Sequence, residues 1–252
     1  MNIRVERDDG VATCILDRPP LNVLTIAMLG ELDEALATLS SEPKLRLIVL
    51  RGAGRAFSAG VDVGEHLGPS LGPMLDAFAR VAARLVSCDV PTLAVVHGST
   101  LGGAAELVAL CDLAIATEDA RIGTPEIVLG VVPPVGAVLF PRLVGSQRAN
   151  ALILTGDAIT GAEAASWGLV WRSVPAERLD DEVRAISERF RAKSAASLRL
   201  AKRTIRIGVG VGLEAALEAT DREQRRTIPT THDTQEGLRA FLEKRSPRWA
   251  HR

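Results

Sequence analysis

Short apolar runs that alternate with helical patterns constrain this chain more than any other feature. Ile3 to Arg7 and Val11 to Leu16 alternate apolar and polar residues on either side of Asp8-Asp9-Gly10, which predicts a strand pair closed by a tight turn. A loop carrying Arg18-Pro19-Pro20 follows. Met28, Leu29, Leu32, Leu36 and Leu39 then recur at helical spacing, and Leu47 to Leu50 is a short buried strand running into the Gly-rich stretch Gly52 to Gly60. The same alternation repeats, with Met74 to Val86 as a helix, Thr92 to Val96 as a strand, Ala104 to Leu110 as a helix and Leu113 to Ala116 as a strand. Strands alternating with helices predict parallel βαβ units with right-handed crossovers, and loops after the strands are the default place for a site.

Beyond about Ser146 helical patterns dominate, at Gln147 to Leu154, Gly161 to Trp167, Leu179 to Ile207, Leu213 to Thr227 and Thr234 to Lys244. Gly208-Val-Gly-Val-Gly212 reads as a hinge between two of them. The expected architecture is an α/β core over residues 1–180 followed by a helical region, residues 181–252, of the same domain. Disorder is excluded as the main state, because 47% of the 252 residues are hydrophobic and the net charge is only −1. That charge also excludes a global field drawing the chain to nucleic acid or anionic lipid. Three cysteines without a CxxC, and four histidines without HExxH, point to a reduced, cytoplasmic protein with no metal site. The acidic start does not read as a signal peptide. The longest low-charge run, Ile127 to Pro141, is shorter than the roughly 20 residues of a spanning helix, so no membrane segment is expected.

Several chemistries lack their motifs. There is no Gly-Lys dipeptide for a Walker A loop, Gly52-Ala-Gly54-Arg-Ala-Phe57 lacks the third glycine of a dinucleotide fingerprint, and no GxSxG elbow occurs. The positive signals are two glutamates and two Gly-rich segments. Between Val90 and Thr117 the only Asp, Glu, Lys or Arg residues are Glu106 and Asp112, so Glu106 sits in a helix that is apolar on every side and therefore buried. Burial raises a carboxyl pKa, which suits a general acid or base near neutral pH. The plain alternative makes Glu106 the one solvated residue of that helix, or an acid placed at its start by the macrodipole. Glu126 follows Thr124 and Pro125, a helix-start signal in which it would merely complement the dipole. As a partner to Glu106 it gains weight, since two separately tuned carboxylates are the usual equipment for moving protons at both ends of a bond. Ala56 to Asp62 and Gly98 to Gly103 each follow a strand, where free backbone N–H groups can face a developing oxyanion or simply make tight turns.

Taken together, these segments carry a family resemblance. Arg55-Ala-Phe-Ser-Ala-Gly-Val-Asp62, Leu101-Gly-Gly-Ala-Ala-Glu-Leu107 with Cys111-Asp-Leu-Ala-Ile-Ala116, Pro125-Glu-Ile-Val-Leu-Gly130, Leu154-Thr-Gly156 and Trp167-Gly-Leu-Val170 resemble, in this order and spacing, the enoyl-CoA hydratase/isomerase (crotonase) superfamily. The resemblance runs from about Val11 to the C-terminus. It implies a crotonase-like ββα spiral core with a helical C-terminal oligomerisation region, an acyl-CoA substrate with coenzyme A as part of that substrate, no other cofactor, and a homo-oligomer, a trimer or dimer of trimers. It makes the N–H groups of Val61 and Gly103 the oxyanion-hole donors and puts Ala59, Val61, Asp62, Gly64 and Gly103 along the CoA cleft. Glu106 and Glu126 fall where hydratases of the family keep two catalytic carboxylates. Lys244 matches a position that reaches a neighbouring subunit's CoA phosphates, although a cation at a helix C-terminus is also ordinary.

Two departures stand out. Where typical hydratases continue with Pro-Gly-Ala-Gly-Gly, this chain reads Pro133-Pro134-Val135-Gly136-Ala137, and Pro134 cannot offer the N–H that the aligned glycine gives to water. Arg225 stands where some relatives place an aromatic near adenine. Asp17-Arg-Pro-Pro-Leu-Asn-Val23 and Val131 to Arg142 look more like cyclohexa-1,5-diene-1-carbonyl-CoA hydratases, which implies a cyclic conjugated acyl group. The implied activity is an EC 4.2.1 lyase adding water to an α,β-unsaturated acyl-CoA, with Δ3,Δ2-enoyl-CoA isomerisation as the enzymatic alternative. A third class is open too: from Arg184 to Arg206 eight Lys/Arg residues face one acid, Glu188, and a basic helix can track nucleic-acid phosphate.

Overall fold

In the computed structural model, which describes residues 1–252, the first hairpin forms as its alternation dictates. β1 (Ile3–Asp8) pairs antiparallel with β2 (Val11–Leu16), Ile3 opposite Leu16 and Asp8 opposite Val11. Asp9 and Gly10 turn the chain with φ of 36° and 74°, the left-handed pair a two-residue hairpin favours. α1 (Ile26–Ser41) starts where the Thr25 hydroxyl accepts the Met28 N–H, and its buried side chains are the five periodic ones, Met28, Leu29, Leu32, Leu36 and Leu39. Next come β3 (Leu47–Gly52), α2 (Leu71–Ser87), β4 (Thr92–Val96), β5 (Ser99–Leu101), α3 (Gly103–Leu110), β6 (Leu113–Thr117) and β7 (Arg121–Gly123). After a 3₁₀ turn at Pro125–Leu129 the chain forms α4 (Pro134–Val144), α5 (Ser146–Thr155), β8 (Ile159–Thr160), α6 (Gly161–Trp167) and β9 (Arg172–Val174).

The main sheet has the order β1-β2-β3-β4-β6-β9, parallel throughout except for the β1–β2 hairpin. Its central strands read as unbroken apolar runs because both faces are covered. Period-two alternation divides them between two cores. Ile48, Leu50, Ala94, Val96, Ala114 and Ala116 face the larger core with α1, α2 and α3, whereas Leu47, Val49, Leu93, Val95 and Ile115 face a smaller one. A second sheet of order β5-β7-β8 sits where β5 runs directly into α3. β5, β7, β8 and β9 have only two or three residues each, too few to show any periodicity in the sequence.

Four helices complete the chain, α7 (Leu179–Arg191), α8 (Ala195–Ile207), α9 (Leu213–Thr227) and α10 (His232–Leu242). α7 closes the smaller core with Leu179 and Ile186. The single helix expected over Leu179 to Ile207 is two, because Ser194 leaves helical geometry (ψ 130°) and its hydroxyl caps the Ser197 N–H of α8. The glycine run 208–212 separates α8 from α9 as expected, with Gly210 at φ 88°. No helix is long and apolar enough to cross a bilayer.

Five basic residues of α7 and α8, Arg191, Arg199, Lys202, Arg203 and Arg206, fasten these helices to the core. Arg199 donates to the carbonyls of Ser40 and Glu42, Arg206 to those of Val86 and Cys88. Arg203 and Arg206 pair with Asp89, Arg191 with Asp8 and Glu188. Buried Lys202 reaches Asp112 at 2.6 Å and the Val90 carbonyl at 3.0 Å. With five of the eight cations between Arg184 and Arg206 tied to the fold, fewer are left for a phosphate backbone, which weakens the support for nucleic-acid binding.

Lys202 also supplies a stability test. Lys202→Met keeps the apolar stem but leaves the half-buried Asp112 with only its Thr92 hydrogen bonds. Breaking a buried pair costs about 3–5 kcal/mol, and since Asp112 is partly exposed we expect on the order of 2 kcal/mol here. Urea unfolding should show a lower midpoint with unchanged slope.

Candidate active site

α3 is the foundation of the site. Its first six residues, Gly103 to Val108, are all buried, so Glu106 is not the solvated member of an exposed helix: it is 3% exposed. What allows a carboxylate there is the start of α4. Glu106 Oε1 accepts the N–H groups of Val135 and Gly136, both at 2.7 Å, two of the donors that every helix N-terminus leaves without an internal acceptor. Pro133-Pro134 is thus a helix start rather than a mere loss of a donor. At N1 the missing proline N–H costs the helix nothing, and the next two N–H groups turn to Glu106.

Glu126 lies in the 3₁₀ turn, not at the start of an α-helix, and Thr124 does not cap it; the Thr124 hydroxyl points to the Leu152 carbonyl instead. The turn brings the Glu126 carboxylate to the β5–α3 junction. A Cβ on Gly102 (φ 56°) would stand 2.8 Å from Glu126 Oε1, so glycine is required there both by the backbone conformation and by the carboxylate. Glu126 Oε2 is buried with no protein donor. Burial pushes Glu106 up to about 7; the charge of Glu126 adds to this, and the Gly136 and Val135 N–H groups oppose it. Burial raises Glu126 as well, partly offset by its own backbone N–H and then by nearby His66, whose Nδ1 is 2.9 Å from the Asp62 carbonyl oxygen.

The segment Ala56–Asp62 runs between two backbone partners. On one side Ser58 bridges β5, its N–H donating to Ser99 O and its carbonyl accepting from Leu101 N. On the other, Leu24 donates to Gly60 O (2.9 Å) and accepts from Asp62 N (3.0 Å). Because Leu24 bonds to the residues on either side of Val61, as in a parallel bridge, the Val61 N–H faces away from Leu24. Neither it nor the Gly103 N–H at the start of α3 donates to the rest of the chain, whereas the Gly102 N–H is already taken by Gly123 O. The two segments touch, since a Cβ on Gly103 would come within 2.7 Å of Val61 Cγ2.

The structure therefore brings Val61, Gly103, Glu106 and Glu126 together. Ala59 is held by the Leu21 carbonyl, and Asp62 turns its carboxylate onto the Gly64 N–H (2.8 Å), so this stretch runs from buried Ser58 to exposed Gly64. Lys244 is not joined to the site within one protomer. It follows α10 at φ 54°, with no hydrogen bond or ion pair to any of these residues. Arg225 is exposed and paired with Asp221 at 2.7 Å. Val135 and Gly136 escaped the sequence reading although Pro at N1 marks free N–H groups just beyond it. Asn22 stood out only as part of the Asp17–Val23 segment, with no role of its own, and His66 gave no signal.

Two tuned carboxylates beside unspent N–H groups in an apolar site define an enzyme of acid–base chemistry. A family model described as "Enoyl-CoA hydratase/isomerase" matches residues 6–252, and the chain belongs to that family. It is 37% identical over 253 residues to a probable enoyl-CoA hydratase of Mycobacterium tuberculosis, covering 99% of this chain and 98% of the relative. It is 34% identical over 255 residues to the cyclohexa-1,5-dienecarbonyl-CoA hydratase of Thauera aromatica, covering 100% and 97%. The crystal structure of an enoyl-CoA hydratase from Mycobacterium smegmatis superposes with a TM-score of 0.93 at 33% identity over 99% of both chains. The fold is the crotonase fold.

The raised carboxyl has a measurable signature. A carboxyl at 4.5 unfolded and about 7 folded leaves the native state holding the extra proton between those values, so stability falls as pH rises through that window. At 1.36 kcal/mol per unit the full effect is about 3 kcal/mol. Glu106→Gln should remove it: its stability relative to wild type should grow by up to that amount between pH 4.5 and pH 8, read by urea unfolding at each pH.

Proposed function

We propose that the protein is a hydratase adding water reversibly to the double bond of an α,β-unsaturated acyl-CoA. The observation that carries this reading is the pair of carboxylates, buried Glu106 anchored by two N–H groups and half-buried Glu126 with an enclosed, unpartnered oxygen, beside the free N–H groups of Val61 and Gly103. The thioester carbonyl accepts those two N–H groups, and the charge it gains as an enolate is stabilised where it develops. Glu106, with Oε1 held by α4, orients water and takes its proton as the C–O bond forms. Glu126 supplies the proton that the neighbouring acyl carbon receives, so that one water is consumed and both carboxyls regain their starting states by proton exchange. Ala59, Val61, Asp62, Gly64 and Gly103 border the thioester arm, and Lys244 reaches the CoA phosphates of a neighbouring subunit. That last role requires a homo-oligomer, and exposed apolar side chains on α9 and α10, Leu213, Leu217, Phe241 and Leu242, supply surface for one.

The acyl group we assign is cyclic and conjugated. Pro134 has no N–H, and the next two are committed to Glu106, so α4 holds no water for attack at the usual carbon. In a conjugated ring, water can be delivered to a more distant carbon while the same enolate hole takes the charge. The cyclohexadienecarbonyl-CoA hydratase among the relatives supports this choice.

The decisive experiment compares kcat/KM for crotonyl-CoA and cyclohexa-1,5-diene-1-carbonyl-CoA, with product mass and the position of the new hydroxyl by NMR. We expect a mass gain of one water and preference for the cyclic diene. Isomerisation without mass gain overturns the hydratase reading, and preference for crotonyl-CoA with a 3-hydroxy product overturns the cyclic assignment. Glu106→Gln and Glu126→Gln should each lower kcat by roughly 10²-fold or more with little change in CoA affinity. Light scattering should give a multiple of the 26.8 kDa chain mass; an active monomer refutes the role of Lys244.

A further inference from the structure

The loop between β2 and α1 carries a side chain whose amide donor serves only the turn before the Val61 segment. Asn22 is 1% exposed and sits in the left-handed region at φ 53°. Its Nδ2 faces three main-chain carbonyls, Ala53 at 2.9 Å, Ala56 at 2.8 Å and Phe57 at 3.2 Å, and its Oδ1 accepts the Arg18 N–H at 2.9 Å. Those carbonyls belong to the turn that leads from β3 into Ser58–Val61. Buried carbonyls of an irregular turn have no ladder partner and must find donors elsewhere. Here one carboxamide, with two hydrogens, satisfies three of them at once.

We infer that Asn22 is a positioning residue for the Val61 N–H, a reading that rests on the proposed oxyanion hole. The loop around Asn22 grips the segment at both ends. The carboxamide holds the turn before Ser58, while the backbone of Leu21 and Leu24 holds Ala59, Gly60 and Asp62. The Gly103 donor is set separately, by β5 and α3. The relative placing of the two donors therefore depends on how firmly the Ala53–Phe57 turn is held, and a shift of about 1 Å in such an arrangement can cost on the order of 10²-fold in rate. Aspartate has the shape of Asn22 but, when ionised, would face three carbonyls without a donor. Glycine accepts the left-handed backbone and removes the clamp alone, so Asn22→Gly separates the carboxamide from backbone strain.

The test uses purified full-length protein, with kcat and KM measured on the best enoyl-CoA substrate. It also uses the absorbance of bound 4-dimethylaminocinnamoyl-CoA, a push–pull chromophore whose band moves red as its carbonyl accepts hydrogen bonds. Wild type should shift the band red. Asn22→Gly should lower kcat 10- to 100-fold at a KM within about threefold and lose much of the shift while circular dichroism stays native. A folded Asn22→Gly protein with kcat within twofold of wild type and an undiminished shift overturns the assignment. A wild-type protein that neither shifts the band nor turns over enoyl-CoA instead overturns the underlying hole, and this role with it. Should Asn22→Gly not fold, Asn22→Asp decides: its protonated carboxyl donates one hydrogen to the carbonyls and its anion none. Its kcat relative to wild type should fall as pH rises, and a pH-independent ratio refutes the role.

Discussion

The burial of one carboxylate organises this molecule. Glu106 stands on a helix with no exposed face through its first six residues, in surroundings that would expel an unpaired charge. It is retained because α4 begins on it, delivering the Val135 and Gly136 N–H groups at 2.7 Å each. That contact joins α3 to α4 through Oε1 and leaves Oε2 without a protein hydrogen bond. The result is a carboxyl held near neutrality, neither a permanent anion nor a permanent acid.

The sheets supply the rest of the placement. Strand alternation locks the main sheet between two cores, so β3, β4 and β6 cannot slip by one residue without exchanging one core for the other. On that rigid base the irregular segments can hold unusual backbone. Gly102 carries positive φ against the Glu126 carboxylate, and Ala56–Asp62, with Gly60 at φ 100°, is bridged on one side to Leu24 and on the other to β5. The site thus joins the start of α3 to irregular segments, each hydrogen-bonded to regular structure within a few residues.

The C-terminal helices show the same economy. Five cations of α7 and α8, part of a run that in isolation looks like a surface for polyanions, are taken by Asp8, Asp89, Asp112 and by carbonyls of the core. A run of like charge in a sequence says how much charge must be matched, not whether the match lies inside or outside the protein.

What the sequence determined by itself was the alternation of strands and helices, the burial of α3, the two glutamates, and the ordered motifs that carry the family. These are legible because period, apolar content and local spacing are properties of neighbouring residues. The β5, β7, β8 and β9 strands were not, since two or three residues hold no period, and the break at Ser194 was hidden inside a continuous helical pattern. Only the tertiary structure decided that Pro133-Pro134 opens a helix aimed at Glu106, that Glu126 reaches Gly102 from a 3₁₀ turn, and that Asn22 clamps carbonyls more than thirty residues away. Each of these is a contact between segments distant in the chain, and its energy comes from desolvation and hydrogen-bond geometry that exist only once both segments are in place.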